Sequence, residues 1–171
     1  MSDTTADPGS EQVAIVDGSD VLIRPASRRE MRDTGLLHRV TYILVFSSGG
    51  QLLVQTRTET KDWYPGIYDF AAGGVLQYDE SYDLSASREL AEELGVEAEL
   101  QYQFKMYFED RAGDPVTKSW GQVYSCVCDG PFSLQPEEVA AAEFMDVDKA
   151  LAISPDRVTP DSRLALHNYL L

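Results

Sequence analysis

The chain has 171 residues, with 14 Lys+Arg against 29 Asp+Glu, a formal net charge of −15 and 43% hydrophobic residues. That length suits one domain whose core needs neither disulfides nor a structural metal, and the composition excludes a wholly disordered or membrane-embedded chain. The acidic balance argues against a broad nucleic-acid or anionic-membrane surface, since both are polyanions, but leaves room for a small anion at one local basic cluster.

Residues 1–12 are rich in Ser, Thr, Asp, Gly and Pro and are expected to form a disordered tail ahead of a domain at 13–171. The tail holds no apolar h-region, so no signal peptide is expected, and no run approaches the ~18 apolar residues of a membrane span. Residues 13–17 and 21–24 read as a hairpin around Gly18-Ser19-Asp20. Ser27 and Glu30 have capping-box spacing and open a short helix that Gly35 ends. Residues 40–47 predict a central strand, and Gly49-Gly50 turns it into another at 51–58. A loop at 63–66 leads to a glycine-punctuated extended stretch at 67–75. The clearest helix spans 81–94 and closes at Gly95. Strands follow at 99–109 and 119–129, a loop at 131–138, a short strand at 144–147, and helices near 147–153 and 160–171. Strands and helices mix without regular βαβ alternation, which predicts an α/β (α+β mixed) fold: a mixed β-sheet with helices on both faces.

Cys126 and Cys128 are the only cysteines. Two positions apart on a strand they share a face, a poor disulfide geometry, and two thiols alone do not make a zinc site. Reduced cysteines and a cytoplasmic location are the expectation.

Chemistry concentrates in the 81–94 helix. Glu89, Glu92 and Glu93 are spaced i, i+3, i+4, which places them within an arc of about 100°. Leu84, Leu90, Ala91 and Leu94 are expected mostly on the opposite, packing arc. At a spacing of ~6 Å and an effective dielectric constant near 20, each carboxylate pair repels by up to ~3 kcal/mol before solvation and salt reduce it. Two readings fit: a solvated acidic face, or a site where a divalent cation turns repulsion into attraction. An all-carboxylate set favours Mg²⁺ or Mn²⁺ over Zn²⁺.

The wider spacing chooses between them. Gly74, Glu80, Arg88-Glu89-Leu90, Glu92-Glu93 and Gly95-Val96 fall at the constrained positions of the Nudix signature. At average residue usage such a match has a chance on the order of 10⁻¹⁰ per starting position. The chain therefore resembles a Nudix hydrolase, which implies a Nudix-type α/β/α sandwich. The resemblance implies hydrolysis of a diphosphate linkage in a nucleoside diphosphate derivative or related organic diphosphate, with Mg²⁺ or Mn²⁺. It implies metal ligation by Glu89, Glu92, Glu93 and the Gly73 carbonyl, with Glu80 and Arg88 paired behind them. Glu92, Glu93 or a late-loop acid, Glu137 or Glu138, would take the proton of the attacking water. The two late-loop acids also fit a plain exposed acidic loop. Many members form homodimers, so a homodimer is allowed here.

A second resemblance concerns the branch. Leu36-Leu37-His38-Arg39, Leu52-Leu53-Val54-Gln55-Thr56-Arg57, Lys61 and Pro65-Gly66 look like the isopentenyl diphosphate isomerases. By that likeness Arg57 and Lys61 are the diphosphate contacts, although plain surface charges fit them equally. The isomerase chemistry does not carry over, because Gly73 and Val75 stand where those enzymes have a cysteine and a metal-binding histidine. His38 then takes a structural or pocket role. Trp63, Tyr64 and Tyr68 would surround the mouth, as loop packing or as a surface for a base or isoprenoid; Tyr68 is the aromatic substrate contact carried forward. Competing readings are a non-catalytic metabolite-sensing module and an isomerase. The charge is uneven: residues 79–99 carry eight acids against one base, while residues 24–78 carry seven bases against five acids.

Overall fold

The structure, a computed structural model, describes residues 7–171. Of the expected tail, residues 1–6 lie outside the described residues. Residues 7–12 are not a free tail. Pro8–Ser10 form a 3₁₀ turn, the Asp7 carboxylate pairs with Arg29, and Gln12 opens the first strand.

That strand, β1 (Gln12–Val16), pairs antiparallel with β2 (Leu22–Ser27). Their turn holds Asp20 at a φ of 61°. The buried Asp20 carboxylate accepts from Arg39 Nε at 2.7 Å, from Tyr82 OH at 3.1 Å and from the Lys105 ammonium. One turn residue thus ties the hairpin to three later elements. In α1 (Arg28–Thr34), Ser27 Oγ accepts from the Glu30 N–H at 3.1 Å, and Gly35 closes the helix in the left-handed region. This matches the capping expected there.

β3 (His38–Phe46) runs through the centre of the sheet. It pairs parallel with β7 (Thr117–Val127), from His38 opposite Ser119 to Phe46 opposite Val127. The other ladders are antiparallel: β4 (Leu52–Arg57) with β3, β5 (Tyr68–Asp69) and β8 (Val139–Met145), and β6 (Gln101–Asp110) with β7. The period of two along β3 sends its residues to opposite faces. Ile43 and Val45 join Ala86, Leu90 and Leu94 of α2 (Tyr82–Leu94). Tyr42 and Leu44 join Ala150 of α3 (Val147–Leu151) and Ala165 and Leu166 of α4 (Pro160–Tyr169). Each buried Leu, Ile or Val contributes roughly 1.5–3 kcal/mol, so the sheet is clamped from both sides. The mixed sheet with helices on both faces is the observed architecture.

Two local differences matter. The extended stretch at 67–75 makes only the two-residue β5. It then runs along β3, where Ile43 N–H donates to the Ala72 carbonyl at 2.7 Å and Thr41 N–H to the Gly74 carbonyl at 2.9 Å. The last strand begins at Val139, five residues before the expected start. Its Ala140-Ala141-Ala142 run has poor strand propensity, but the ladder to β4, with Ala142 opposite Gln55, overrides that.

Candidate active site

Helix α2 starts on Ser81, whose Oγ accepts from the Leu84 N–H at 3.2 Å, and stops on Gly95 at φ 66°. Its packed face is not the expected one. Ser85, Ala86, Leu90, Glu93 and Leu94 are buried, whereas Ala91 faces solvent and Leu84 is 64% exposed. At 100° per residue the inward arc centres on Ala86, Leu90 and Glu93, so a carboxylate sits in the packed face. The reason is its neighbour. Glu93 meets the peptide backbone of the 73–74 loop instead of an apolar layer, and Gly73 N–H donates to Glu93 Oε2 at 3.2 Å.

The two glycines make that approach close. Gly73 has a φ of 138°, and a Cβ there would collide with the Thr41 carbonyl. A Cβ on Gly74 would lie 2.6 Å from Glu89 Oε1. The Gly74 carbonyl is taken by Thr41 N–H, while among the described residues nothing donates to the Gly73 carbonyl.

Arg88 organises the remaining acids. Its Nε and Nη2 reach Glu80 Oε1 and Oε2 at 2.5 and 3.0 Å, Nη1 reaches Glu92 Oε2 at 3.1 Å, and Nη2 lies 3.1 Å from Glu89 Oε1. Burial opposes ionisation of Glu80, but the Arg88 fork and the Gln77 N–H outweigh it and hold its carboxyl below the ordinary range. Glu89 goes the other way. Burial, and then the Glu92 charge, push it up to about 7 despite Arg88. Burial, then Glu89, also raise Glu93 well above its ordinary value. Glu92 is 49% exposed at the rim. Arg88, Glu89, Glu92 and Glu93 line a groove of about 450 Å³ with Gly73, Gly74, Lys61, Arg28 and Glu138. Among the described residues no three His, Cys, Asp or Glu side chains form a preformed metal cage. The donors that do face the groove are hard oxygens, two of them carboxylates whose ionisation burial and mutual repulsion oppose. That set fits a divalent cation better than it fits protons.

A second, deeper cavity of about 110 Å³ adjoins the groove. Arg57 and Lys61 both line it, but Arg57 is largely spent. Its Nε and Nη2 donate to the Tyr64 and Trp63 carbonyls at 3.1 and 2.8 Å, and its Nη1 to Asp69 at 3.1 Å. Lys61 pairs with Glu138 and lines both spaces. Trp63 and Tyr64 line the deeper cavity, but Tyr68 does not. It packs into the core beneath α4, with Arg157 over its ring at 5.3 Å. Strand alternation explains this, because neighbouring Asp69 takes the cavity side. Glu138 lies in the groove, while Glu137 is exposed and offers only its carbonyl to Thr58.

His38 is buried at the cavity wall. Its Nδ1 lies 2.9 Å from the Leu36 carbonyl, and burial pushes it down to about 4, so it is a neutral pocket residue. Cys126 and Cys128 are unpaired and pack under α2, with burial pushing the Cys126 thiol up to about 11. Sequence reasoning missed Arg28, Arg32, Asp69 and Asp161, which also line the deeper cavity. The basic bias of residues 24–78 was the one available signal for the first two. Burial, then the Asp69 charge, push Asp161 up to about 6, and Tyr42 OH donates to it at 3.1 Å.

Comparison with known proteins identifies the family. The NUDIX domain family model matches residues 36–169. An uncharacterised Nudix hydrolase of Yersinia pestis is 44% identical over 161 residues, covering 94% of this chain and 86% of its own. The uncharacterised Nudix hydrolase YfcD of Escherichia coli K12 is 44% identical over 158 residues, covering 92% and 85%. The crystal structure of DR0079 from Deinococcus radiodurans shares the fold, with a TM-score of 0.80 at 22% identity, covering 94% of this chain and all of that one (100%). The chain belongs to the Nudix hydrolase family.

Proposed function

We propose that this chain is a divalent-metal-dependent hydrolase that cleaves the diphosphate linkage of a nucleoside diphosphate derivative or related organic diphosphate. The observation that carries this is Glu93, buried against the Gly73–Gly74 backbone beside Glu89, with the Arg88–Glu80 fork behind them. Glu89, Glu92, Glu93 and the Gly73 carbonyl would hold Mg²⁺ or Mn²⁺, as members of the family generally use divalent metal ions. When bound, such an ion neutralises diphosphate oxygens and makes water more acidic.

The protein's own groups do the rest. Arg88 sets the rotamers of Glu80, Glu89 and Glu92 together, so the carboxylates are preorganised. Glu92 at the rim or Glu138, which also lines the groove, would accept the proton of the attacking water. Lys61, lining both spaces, meets the substrate where they join. The likeness to the isopentenyl diphosphate isomerases would then reflect shared ancestry without their thiol chemistry. The chain's two cysteines lie under α2, outside the residues lining either space. No helix among the described residues is long and apolar enough to cross a membrane, and the unpaired cysteines support a cytoplasmic setting.

The test is a hydrolysis screen with Mg²⁺ or Mn²⁺ over nucleoside triphosphates, nucleotide sugars, dinucleotides and isoprenoid diphosphates, with products identified by mass. Phosphate-bearing products that vanish in EDTA are expected. Tight binding of a panel member without turnover would replace the hydrolase with a sensing module, and allylic isomerisation would replace it with an isomerase.

A further inference from the structure

We infer that Arg28 and Arg32, one turn apart on α1, form the clamp for the substrate's phosphate groups. This deepens the diphosphate hydrolase reading and rests on it. Both arginines line the deeper cavity, and Arg28 also lines the carboxylate groove with Lys61. The pair therefore stands where a diphosphate would pass from the acids to the organic moiety.

Most of their donors are unspent. Each guanidinium carries five N–H groups in a fixed fork. Arg28 makes one side-chain bond, from Nη1 to Glu11 at 3.1 Å. Arg32 makes one, from Nη1 to Asp62, whose side chain is 71% exposed. Arg32 Nε is buried without a partner among the described residues. A buried, unmade hydrogen bond is costly, and one explanation is a missing acceptor. Arg32 also lies over the Trp63 ring at 5.0 Å, which fixes the plane of its fork. Burial, then the neighbouring Arg28 charge, hold the Arg32 guanidinium below its ordinary value, so two like charges share the cavity wall.

Arg57 is the contrast. Three of its donors hold the 63–64 loop and Asp69, so it supports the wall and has less to offer a ligand. A ligand that answers two open forks needs several oxygen acceptors and negative charge, which is the chemistry of a phosphate group.

Isothermal titration calorimetry with inorganic pyrophosphate in metal-stripped buffer tests this. Wild-type protein is expected to bind with an affinity that falls as salt rises. Arg28→Gln and Arg32→Gln should each weaken binding about tenfold, and Arg28→Lys should recover part of the loss by restoring charge. Circular dichroism confirms that each variant is folded. A parallel Mg²⁺ titration of Arg32→Gln without pyrophosphate should stay within about twofold of wild type, since Arg32 does not line the carboxylate groove. Undetectable wild-type binding, or pyrophosphate affinities within about twofold of wild type in both Gln variants, would overturn the clamp. So would an equal loss of Mg²⁺ affinity, which would make the arginines part of the carboxylate network. Loss of pyrophosphate binding in these variants, together with no turnover across the substrate panel, would sink the hydrolase reading and leave the clamp standing.

Discussion

At the scale of single residues, Glu93 is the side chain whose position and ionisation are most at odds. It is buried in the packed face of α2, accepts from Gly73 N–H at 3.2 Å, and has its ionisation opposed by burial and by Glu89. Glutamine keeps an oxygen for that N–H but cannot supply a charge to a metal ion. Glu93→Gln should therefore lower metal-dependent turnover by about 100-fold or more, equivalent to roughly 3 kcal/mol of lost transition-state stabilisation. Its melting temperature should not fall, because glutamine keeps an acceptor for Gly73 N–H and takes away a carboxyl whose ionisation burial opposes. A loss of less than about tenfold, measured at saturating Mg²⁺, would remove Glu93 from the ligand set. The Nudix spacing anticipated that Glu80 pairs with Arg88 and that Glu89 and Glu92 lie beside that pair. It did not reveal how far Arg57 is occupied or that Tyr68 turns inward. Those outcomes depend on which carbonyls a loop brings near and which side of a two-residue strand faces the cavity.

Among the elements, the 73–74 loop shows how backbone and site are divided. Gly73 lies at a φ of 138° against the Thr41 carbonyl, which belongs to the central strand and cannot yield. Gly74 lies against Glu89 Oε1, the end of a side chain that can move. The two alanine variants should separate accordingly. Gly73→Ala is expected to destabilise the fold by about 2 kcal/mol or more, read by urea unfolding. Gly74→Ala should unfold near the wild-type midpoint yet lose turnover, because its methyl group displaces Glu89. Equal unfolding midpoints for the two variants would show that the loop can relax away from β3. The elements most legible in the sequence, α1, α2 and β3, carry their own signals: Ser caps, Gly stops and β-branched runs. The poorly legible ones, β5 and the start of β8, exist because β4 offers them a ladder. Long-range pairing of this kind leaves no local trace in a run such as Ala140-Ala141-Ala142.

For the whole molecule, protonation and folding are linked through Glu89, Glu93 and His38, whose shifts act on stability in opposite senses. Without metal, Glu89 sits at about 7 and Glu93 well above its ordinary value. From about pH 4.5 to 7 the folded chain therefore keeps protons that the unfolded chain has released. Stability contributed by this pair falls as pH rises through that window. His38 acts in reverse. Burial holds it near 4 against an ordinary 6.5, so between those values the unfolded chain binds the extra proton and stability rises with pH. The two slopes oppose each other where they overlap, so a single pH–stability curve hides both. Mg²⁺ separates them. It requires ionised carboxylates and binds the folded state, but His38 titrates alike with or without it. The difference in melting temperature between excess Mg²⁺ and EDTA should thus be small at pH 5.5 and grow to roughly 5 °C or more at pH 8, with Mg²⁺ at about 100 times its dissociation constant. In Glu93→Gln the difference should shrink at pH 8 and lose much of its pH dependence. His38→Gln should leave the difference unchanged while flattening the acid side of each curve taken alone. An equal Mg²⁺ effect at both pH values in wild type would show that the Glu89–Glu93 pair is not where the cation meets the fold.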